Sequence, residues 1–257
     1  RGLVVVTPGT SIFSWVVWQS LPRRARELRA DSAARLGPRD IGAVLQYSLQ
    51  AQIAEDMAAC VRQVRDGSAP PSPLRVTIPE AARQRSGLLG HSMGAGLLFW
   101  VARETGVPIA ACLAPQPRLE GPLRPASNAR SLLKGVDFLI IAAEFDRLSP
   151  PGACEGLARD VNRSPGQTRG LYLCVPGGTH MGFEDRASVG PLPLCAHGGR
   201  RRLEDQRATR DAALATWLAP GVLRAAPPPP ARLQAALRAS PALRPPFRRR
   251  LRVLLPL

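Results

Sequence analysis

Short apolar runs alternate with longer amphipathic segments along most of the chain. Each apolar run is bounded by glycine, proline or polar residues, which is typical of buried strands. The predicted strands are residues 2–6, 42–47, 88–89, 109–115, 136–143 and 170–175. Apolar residues at helical spacing predict helices over residues 13–28, 53–64, 95–101 and 212–218. Alternating strands and helices predict the α/β class, with a mostly parallel central sheet flanked by helices.

The 257 residues, 45% of them hydrophobic, are enough for one large core. We interpret residues 1–219 as a single domain and residues 220–257 as a tail, because the tail is rich in proline and arginine and shows no core pattern. Such a composition predicts disorder or polyproline conformation, with a short helix allowed around residues 231–237. Residues 119–134 are interrupted by prolines and predict a short cap or lid, and residues 186–202 predict a long connection bordering a pocket.

The stretch Gly90-His91-Ser92-Met93-Gly94 has the pattern Gly-x-Ser-x-Gly, and it lies between a short apolar run and a helical segment. In that context the pattern predicts a nucleophile elbow, where a strand turns sharply into a helix and exposes one serine at the bend. We expect both glycines to be required, because a side chain at either position would collide with the neighbouring strand or helix. Free N–H groups at the start of the helix would face any negative charge that develops beside Ser92.

A candidate acid follows the buried strand 136–143, where Asp146 comes just after the carboxyl end. Glu144 is the main alternative, since the two carboxylates differ for this purpose only in their position after the strand. The carboxyl ends of parallel strands meet at one edge of a sheet, so either group can reach Ser92. We favour Asp146.

A candidate base follows the next strand, where His180 lies in a glycine-rich loop after residues 170–175. The other two histidines are weaker candidates: His91 lies inside the elbow, where packing is the usual role, and His197 lies in an irregular stretch further on. The chain order of serine, acid and histidine is the one that α/β-hydrolases use.

These three residue types belong together chemically. A serine hydroxyl becomes nucleophilic when a base within hydrogen-bond reach takes its proton, and neutral histidine can do so near pH 7. A carboxylate then holds the imidazole in the correct tautomer and stabilises its cation. Backbone N–H groups must hold the oxyanion, and we assign these to Met93 and to Thr10, with Ser11 as the fallback for Thr10. Candidate pocket residues near these loops are Ser11, Phe13, His91 and Phe183.

The whole pattern resembles the α/β-hydrolase superfamily over about residues 3–218. The matching features are the Pro-Gly loop after the first strand, the elbow at Ser92, the strand leading to Asp146, the Gly-Thr-His loop at His180 and the last amphipathic helix. The chain is most similar to the chlorophyllase and polyester-hydrolase-like (dienelactone-hydrolase-like) branch, on the strength of residues 178–185 and Cys195. The resemblance implies one or two further strands before residue 2, so we expect an N-terminal truncation that also removes any targeting peptide.

One departure from the chlorophyllases concerns the acid. In the plant chlorophyllases the acid follows the strand after the elbow helix, whereas here that strand, residues 109–115, has no carboxylate. The resemblance therefore implies that Asp146 is the acid, as in ordinary esterases, and it argues against chlorophyll as the substrate.

The formal net charge is +16, and residues 198–257 contain thirteen arginines against three acidic residues. A flexible basic tail can contact phosphate backbones or anionic membrane surfaces weakly. A composition biased towards arginine, alanine, proline and glycine explains the same charge without a function, and we favour that interpretation. The arginines lack a series of interleaved aromatic residues, so no specific nucleic-acid partner is expected.

The five cysteines, at positions 60, 112, 154, 174 and 195, show no metal-ligand spacing. Their odd number and scattered positions favour an intracellular location, cytoplasm or plastid, over secretion. No apolar run reaches about 18 residues, so we expect no transmembrane helix.

Together these observations predict a serine-dependent carboxylic ester hydrolase that forms an acyl-enzyme on a small, moderately apolar ester. The mechanism needs no metal and no organic cofactor. Two alternatives stay open: an acyltransferase or thioesterase with the same three residues, and a non-catalytic α/β-hydrolase-like binding protein. The presence of all three chemical groups argues against the binding protein. The sequence does not define the oligomeric state.

Overall fold

The computed structural model describes residues 15–31, 40–68, 78–84, 86–132, 135–184, 199–218, 228–243, 245–251 and 253–254. The predicted strand 2–6 and the site candidates Thr10, Ser11 and Phe13 lie outside these residues. Residues 186–198 of the predicted connection, which include Cys195 and His197, also lie outside them.

A mostly parallel sheet runs through the described residues, as predicted for the α/β class. Its five strands are β1 (Leu88–His91), β2 (Ile109–Leu113), β3 (Asp137–Ala143), β4 (Arg169–Val175) and β5 (Val253–Leu254). They lie side by side in chain order. The first four strands are parallel, and β5 pairs antiparallel with β4, placing Leu254 opposite Tyr172.

The helices of the described residues surround this sheet. They are α1 (Trp15–Asp31), α2 (Ile41–Asp66), α3 (Glu80–Arg83), α4 (Ser92–Thr105), α5 (Pro125–Arg130), α6 (Pro151–Asn162), α7 (Gly199–Trp217), α8 (Pro230–Ala239) and α9 (Pro245–Arg250). Two 3-10 helices cover Gly121–Leu123 and His180–Phe183. None of the helices in the described part of the chain combines the length and the apolar character that crossing a bilayer requires.

Side chains of a strand alternate between its two faces, and strands β2, β3 and β4 are buried on both of them. On one face, Phe138 and Ile140 of β3 pack with α4, α5 and α6 in a cluster that we call the first core. On the other face, Leu139 and Ile141 pack with α7 and α8 in the second core. Each of the helices α4, α5 and α6 connects one parallel strand to the next. The strands follow one another in one direction across the sheet, and such connections are right-handed, so the three helices lie on the same face.

The predicted strand 42–47 is wrong, since these residues belong to the long helix α2. The local apolar run continues into a helical stripe that includes Tyr47, Ala51 and Ala54, all buried. This stripe packs with Leu28 of α1 and Leu97 of α4 in a third core. Packing along the full 26-residue helix overrides the strand-like composition of its first turns.

The C-terminal region also differs from the expected tail. Its described residues form α8, α9 and β5, and the second core contains five of their apolar side chains: Leu233, Leu237, Leu243, Phe247 and Leu251. The side chain of Gln234 ties the region together, because its Nε2 donates to the carbonyl of Leu251 (3.0 Å) and its Oε1 accepts from the N–H of Val253 (2.8 Å). An apolar stripe is present between the arginines, and it covers one face of the sheet. The core therefore extends past residue 219.

Residues 119–134 were expected to form a cap or lid, and their described part is instead a packed layer. Ala129 and Leu132 are buried in the first core, and Leu119 and Leu123 are buried in the third. The prolines of this segment start short helices rather than leaving it irregular, since proline fits the first turn of a helix.

Candidate active site

Ser92 lies at the junction of β1 and α4, where the sequence predicted a sharp turn from strand to helix. Its φ of 54° is in the left-handed region, which is uncommon for any residue other than glycine. The carbonyl of Ser92 accepts a hydrogen bond from the N–H of Gln116 at 3.0 Å, which fixes the turn to the loop after β2. This strained conformation is the one that a nucleophile elbow requires.

The glycines around Ser92 have different roles. A Cβ on Gly90 would lie 2.8 Å from the backbone nitrogen of Ala95, so the expected collision is present there. A Cβ on Gly94 would have nothing within 4 Å, so the steric reason given for that glycine is wrong. Gly96, which sequence reasoning missed, has the closest constraint in the helix, because its Cβ would lie 2.6 Å from the carbonyl oxygen of Gln116.

We expect Gly96→Ala to lower the free energy of unfolding by about 1–3 kcal/mol, because the new methyl group must displace the backbone at Gln116. Gly94→Ala is the matched control, and it should raise the free energy of unfolding by up to about 1 kcal/mol, since alanine favours the helix and meets no neighbour. Urea denaturation of the two variants measures both changes. Equal effects would contradict the assignment of the close contact to Gly96 alone.

The structure brings the predicted serine, histidine and acid into one hydrogen-bonded chain. The Nε2 atom of His180 lies 2.8 Å from the Oγ atom of Ser92. The Nδ1 atom of the same ring lies 2.7 Å from Oδ2 of Asp146. The side chains of His180 and Asp146 are 3% and 0% exposed, so water does not compete for the contact between them.

Asp146 is held in place by the loop that follows β3. Its Oδ1 atom accepts hydrogen bonds from the N–H groups of Leu148 (2.9 Å) and Ser149 (2.8 Å), which leaves Oδ2 to face the imidazole. The hydroxyl of Ser149 donates to the carbonyl of Ala114 at 2.8 Å and so anchors this loop to the end of β2. These donors offset the cost of burying a carboxylate.

The rival acid, Glu144, turns away from the histidine side chain. It is exposed, and its Oε2 atom accepts a hydrogen bond from the N–H of Gly177 at 2.6 Å. Glu144 thus joins the ends of β3 and β4, and of the two carboxylates Asp146 is the one that contacts His180.

His91, the residue before Ser92, packs against the loop that carries His180. Its Nε2 atom lies 3.0 Å from the carbonyl oxygen of His180, and its Nδ1 atom lies 3.5 Å from Oε1 of Glu184. The ring centroids of His91 and His180 are 5.0 Å apart. Because the carbonyl can only accept, Nε2 of His91 carries the proton and donates it.

Burial, followed by the proximity of His180, lowers the pKa of His91 below its ordinary value of 6.5. Protonation of His91 is therefore more favourable in the unfolded chain, and its contribution to stability is present above pH 6.5 and is lost as pH falls through the lowered pKa.

We expect the free energy of unfolding of the parent to fall more steeply between about pH 7 and 5 than that of His91→Gln, which keeps a donor near Nε2 but does not titrate. Because the two proteins differ only at residue 91, the difference between the two curves isolates the contribution of His91. Denaturant unfolding at a series of pH values measures it. Parallel curves would contradict the lowered pKa.

The remaining candidates occupy different environments. Met93 is the second residue of α4, where backbone N–H groups have no partner within the helix. Phe183 is 3% exposed and belongs to the second core, so it does not line an open pocket as the sequence had allowed.

A cavity of about 270 Å³ lies beside the loops that carry the acid and the histidine, but Ser92, Asp146 and His180 do not line it. Its walls are formed by Glu144, Phe145, Pro176, Gly177, Arg202, Asp205, Phe247 and Arg250. This space is therefore separate from Ser92.

Sequence reasoning also missed Gln206, a buried residue of α7 whose side chain bonds to the backbone of Thr179, next to His180. The surrounding arginines give α7 the appearance of a solvent-exposed helix, and no local signal marks this glutamine.

Comparison with the models of known protein families, and with curated proteins, finds no match to this chain.

Proposed function

We propose that this chain is a serine-dependent carboxylic ester hydrolase with the α/β-hydrolase fold. The observation that carries the proposal is the hydrogen-bonded chain from Ser92 through His180 to Asp146. The positive φ of Ser92 at a strand-to-helix junction supports the same conclusion, since the strain costs stability and suits an exposed nucleophile. The carboxyl ends of parallel strands β1, β3 and β4 supply the three groups in the chain order that α/β-hydrolases use.

In the first half of the reaction, the Oγ atom of Ser92 attacks the carbonyl carbon of the ester and its proton passes to Nε2 of His180. The negative charge that forms on the substrate oxygen is held by the N–H of Met93, with Thr10 proposed as the second donor. The carbon–oxygen bond to the alcohol then breaks, His180 returns the proton to the departing alcohol, and the acyl group stays on Ser92.

In the second half, water attacks the acyl-enzyme. His180 takes a proton from the water, and the oxyanion forms again. As it collapses, the bond between the acyl carbon and Oγ of Ser92 breaks, His180 gives its proton to Oγ, and the carboxylic acid is released. Throughout, Asp146 holds the imidazole with Nε2 towards Ser92 and stabilises its cation.

A fluorophosphonate probe tests the activated serine directly, because such probes form a covalent bond to a serine whose proton a neighbouring base removes. We expect the parent protein to be labelled and Ser92→Ala to remain unlabelled. Ser127→Ala, which changes an exposed serine of α5, is the matched control and should be labelled like the parent. Hydrolysis of a panel of short-chain esters by the parent protein that has not been treated with the probe then identifies the reaction, and prior labelling should abolish it. A folded parent that is not labelled would overturn the proposal.

A further inference from the structure

We propose that Gln206 is a positioning residue for His180, acting through the backbone of Thr179. This inference rests on the proposed function, because positioning of the imidazole matters to the rate only if His180 is the base.

The side chain of Gln206 makes two hydrogen bonds to the backbone of Thr179, and we call this pair of bonds the clamp. The Nε2 group of Gln206 donates to the carbonyl of Thr179 at 2.8 Å, and its Oε1 atom accepts from the N–H of Thr179 at 3.1 Å. Gln206 is 1% exposed and Thr179 is 5% exposed, so water cannot readily replace either bond. One amide therefore bonds to both backbone groups of the residue directly before His180, whose carbonyl also accepts from the N–H of Gly182 at 3.2 Å.

The histidine loop is shaped around this amide. A Cβ on Gly182 would overlap Oε1 of Gln206, and a Cβ on Gly178 would lie 3.2 Å from its Cδ atom. Glycine at these two positions, on either side of His180, allows the loop to approach the glutamine closely.

Helix α7 gives the clamp a rigid base. Trp217 of the same helix is fully buried in the second core and donates through Nε1 to the carbonyl of Ala110 in β2 at 3.0 Å. Arg207 binds the far end of the loop, with its Nε donating to the carbonyl of Glu184 at 3.0 Å. Gln206 is the point of attachment that adjoins His180, whose ring must keep contacts of 2.8 and 2.7 Å to Ser92 and Asp146.

Loss of the clamp should act on the rate more than on the fold. In Gln206→Met, an apolar side chain of similar length removes both bonds, and we expect kcat to fall about 10- to 100-fold, with KM little changed, because a displacement of under 1 Å disturbs proton transfer. Thr209→Val is the matched control: Thr209 is equally buried on α7, but its hydroxyl donates to the carbonyl of Asp205 within the helix. It should change Tm without changing kcat.

The conservative variant Gln206→Glu adds a readout that a purely structural role would not move. A protonated carboxyl group has one donor and one acceptor, like the amide, whereas the ionised form only accepts and would face the carbonyl of Thr179. The ratio of its kcat/KM to that of the parent should therefore fall as pH rises, with folding checked by circular dichroism at each pH. A ratio independent of pH, or a folded Gln206→Met with the kcat of the parent, would overturn the proposal.

Failure of this inference can be told from failure of the proposed function. If the parent reacts with the fluorophosphonate probe and the Gln206 variants react equally fast, only the positioning role is wrong. If the folded parent does not react, the proposed function fails. In that case the NMR signal of the Nδ1 proton of His180 still tests whether Gln206 positions the imidazole. A change in its chemical shift in Gln206→Met but not in Thr209→Val supports the clamp, and an unchanged signal overturns it.

Discussion

Replacement of Ser92 or of His180 by alanine is expected to lower kcat for an ester substrate by about a million-fold, the loss that such residues show when they act as one unit. Without Ser92 the proposed acyl-enzyme loses the oxygen on which it forms, and without His180 that oxygen loses the base that lies 2.8 Å from it. Because the two groups serve the same step, the double variant should lose little more than either single one.

Steady-state hydrolysis of the best ester from the panel measures this effect, with Ser127→Ala as the control that should keep the rate of the parent. Circular dichroism must show that each variant is folded, since Ser92 occupies a strained turn and its replacement can change stability as well as activity. A Ser92→Ala variant that retains more than a small fraction of kcat would rule out the acyl-enzyme on Ser92.

Asp146→Asn is expected to lower kcat by about ten thousand-fold with little change in structure. The Oδ1 atom of asparagine can still accept from Leu148 and Ser149, so the loop stays in place. Its amide, however, presents a donor to Nδ1 of His180, which forces the proton of the ring onto Nε2. That tautomer cannot take the proton of Ser92.

Glu144→Gln is the matched control for this prediction, because Glu144 lies two residues away and its side chain accepts from Gly177 instead. Glutamine keeps an acceptor there, so kcat should stay close to that of the parent. Rates of ester hydrolysis for both variants, measured side by side, test the assignment. A larger loss for Glu144→Gln than for Asp146→Asn would mean that the acid has been placed wrongly.

Strands β2, β3 and β4 could be predicted because strands buried on both faces have apolar side chains along most of their length, and glycine, proline or polar residues mark their ends. The same criterion failed for residues 42–47, which have a strand-like composition. They are helical because the apolar stripe of α2 continues to Ala58 and packs on α4. That partner lies some fifty residues away, and a local pattern carries no information about it.

The C-terminal region was misjudged for a related reason. Arginine and proline dominate its composition, while the residues that matter, such as Leu233 and Leu237, are few and widely spaced. Burial of these residues depends on a sheet face that the rest of the chain leaves for them to cover. It also depends on the outer edge of β4, where β5 pairs. Neither of these is a property of the segment itself.

At the site, the sequence by itself determined which chemical groups are available: one serine at an elbow, and a carboxylate and a histidine just beyond the ends of two later strands. The carboxyl ends of parallel strands lie at one edge of the sheet. The order of these groups along the chain therefore predicted that the three side chains would lie close together. Only the tertiary structure decided between Asp146 and Glu144, since a two-residue difference after a strand depends on how the loop turns and which N–H groups it offers. It alone also showed that a side chain would collide with the backbone at Gly96 but not at Gly94, and that Gln206 contacts the histidine loop. These contacts join segments that are far apart in the chain, and packing of the sheet and its helices sets the distances between them.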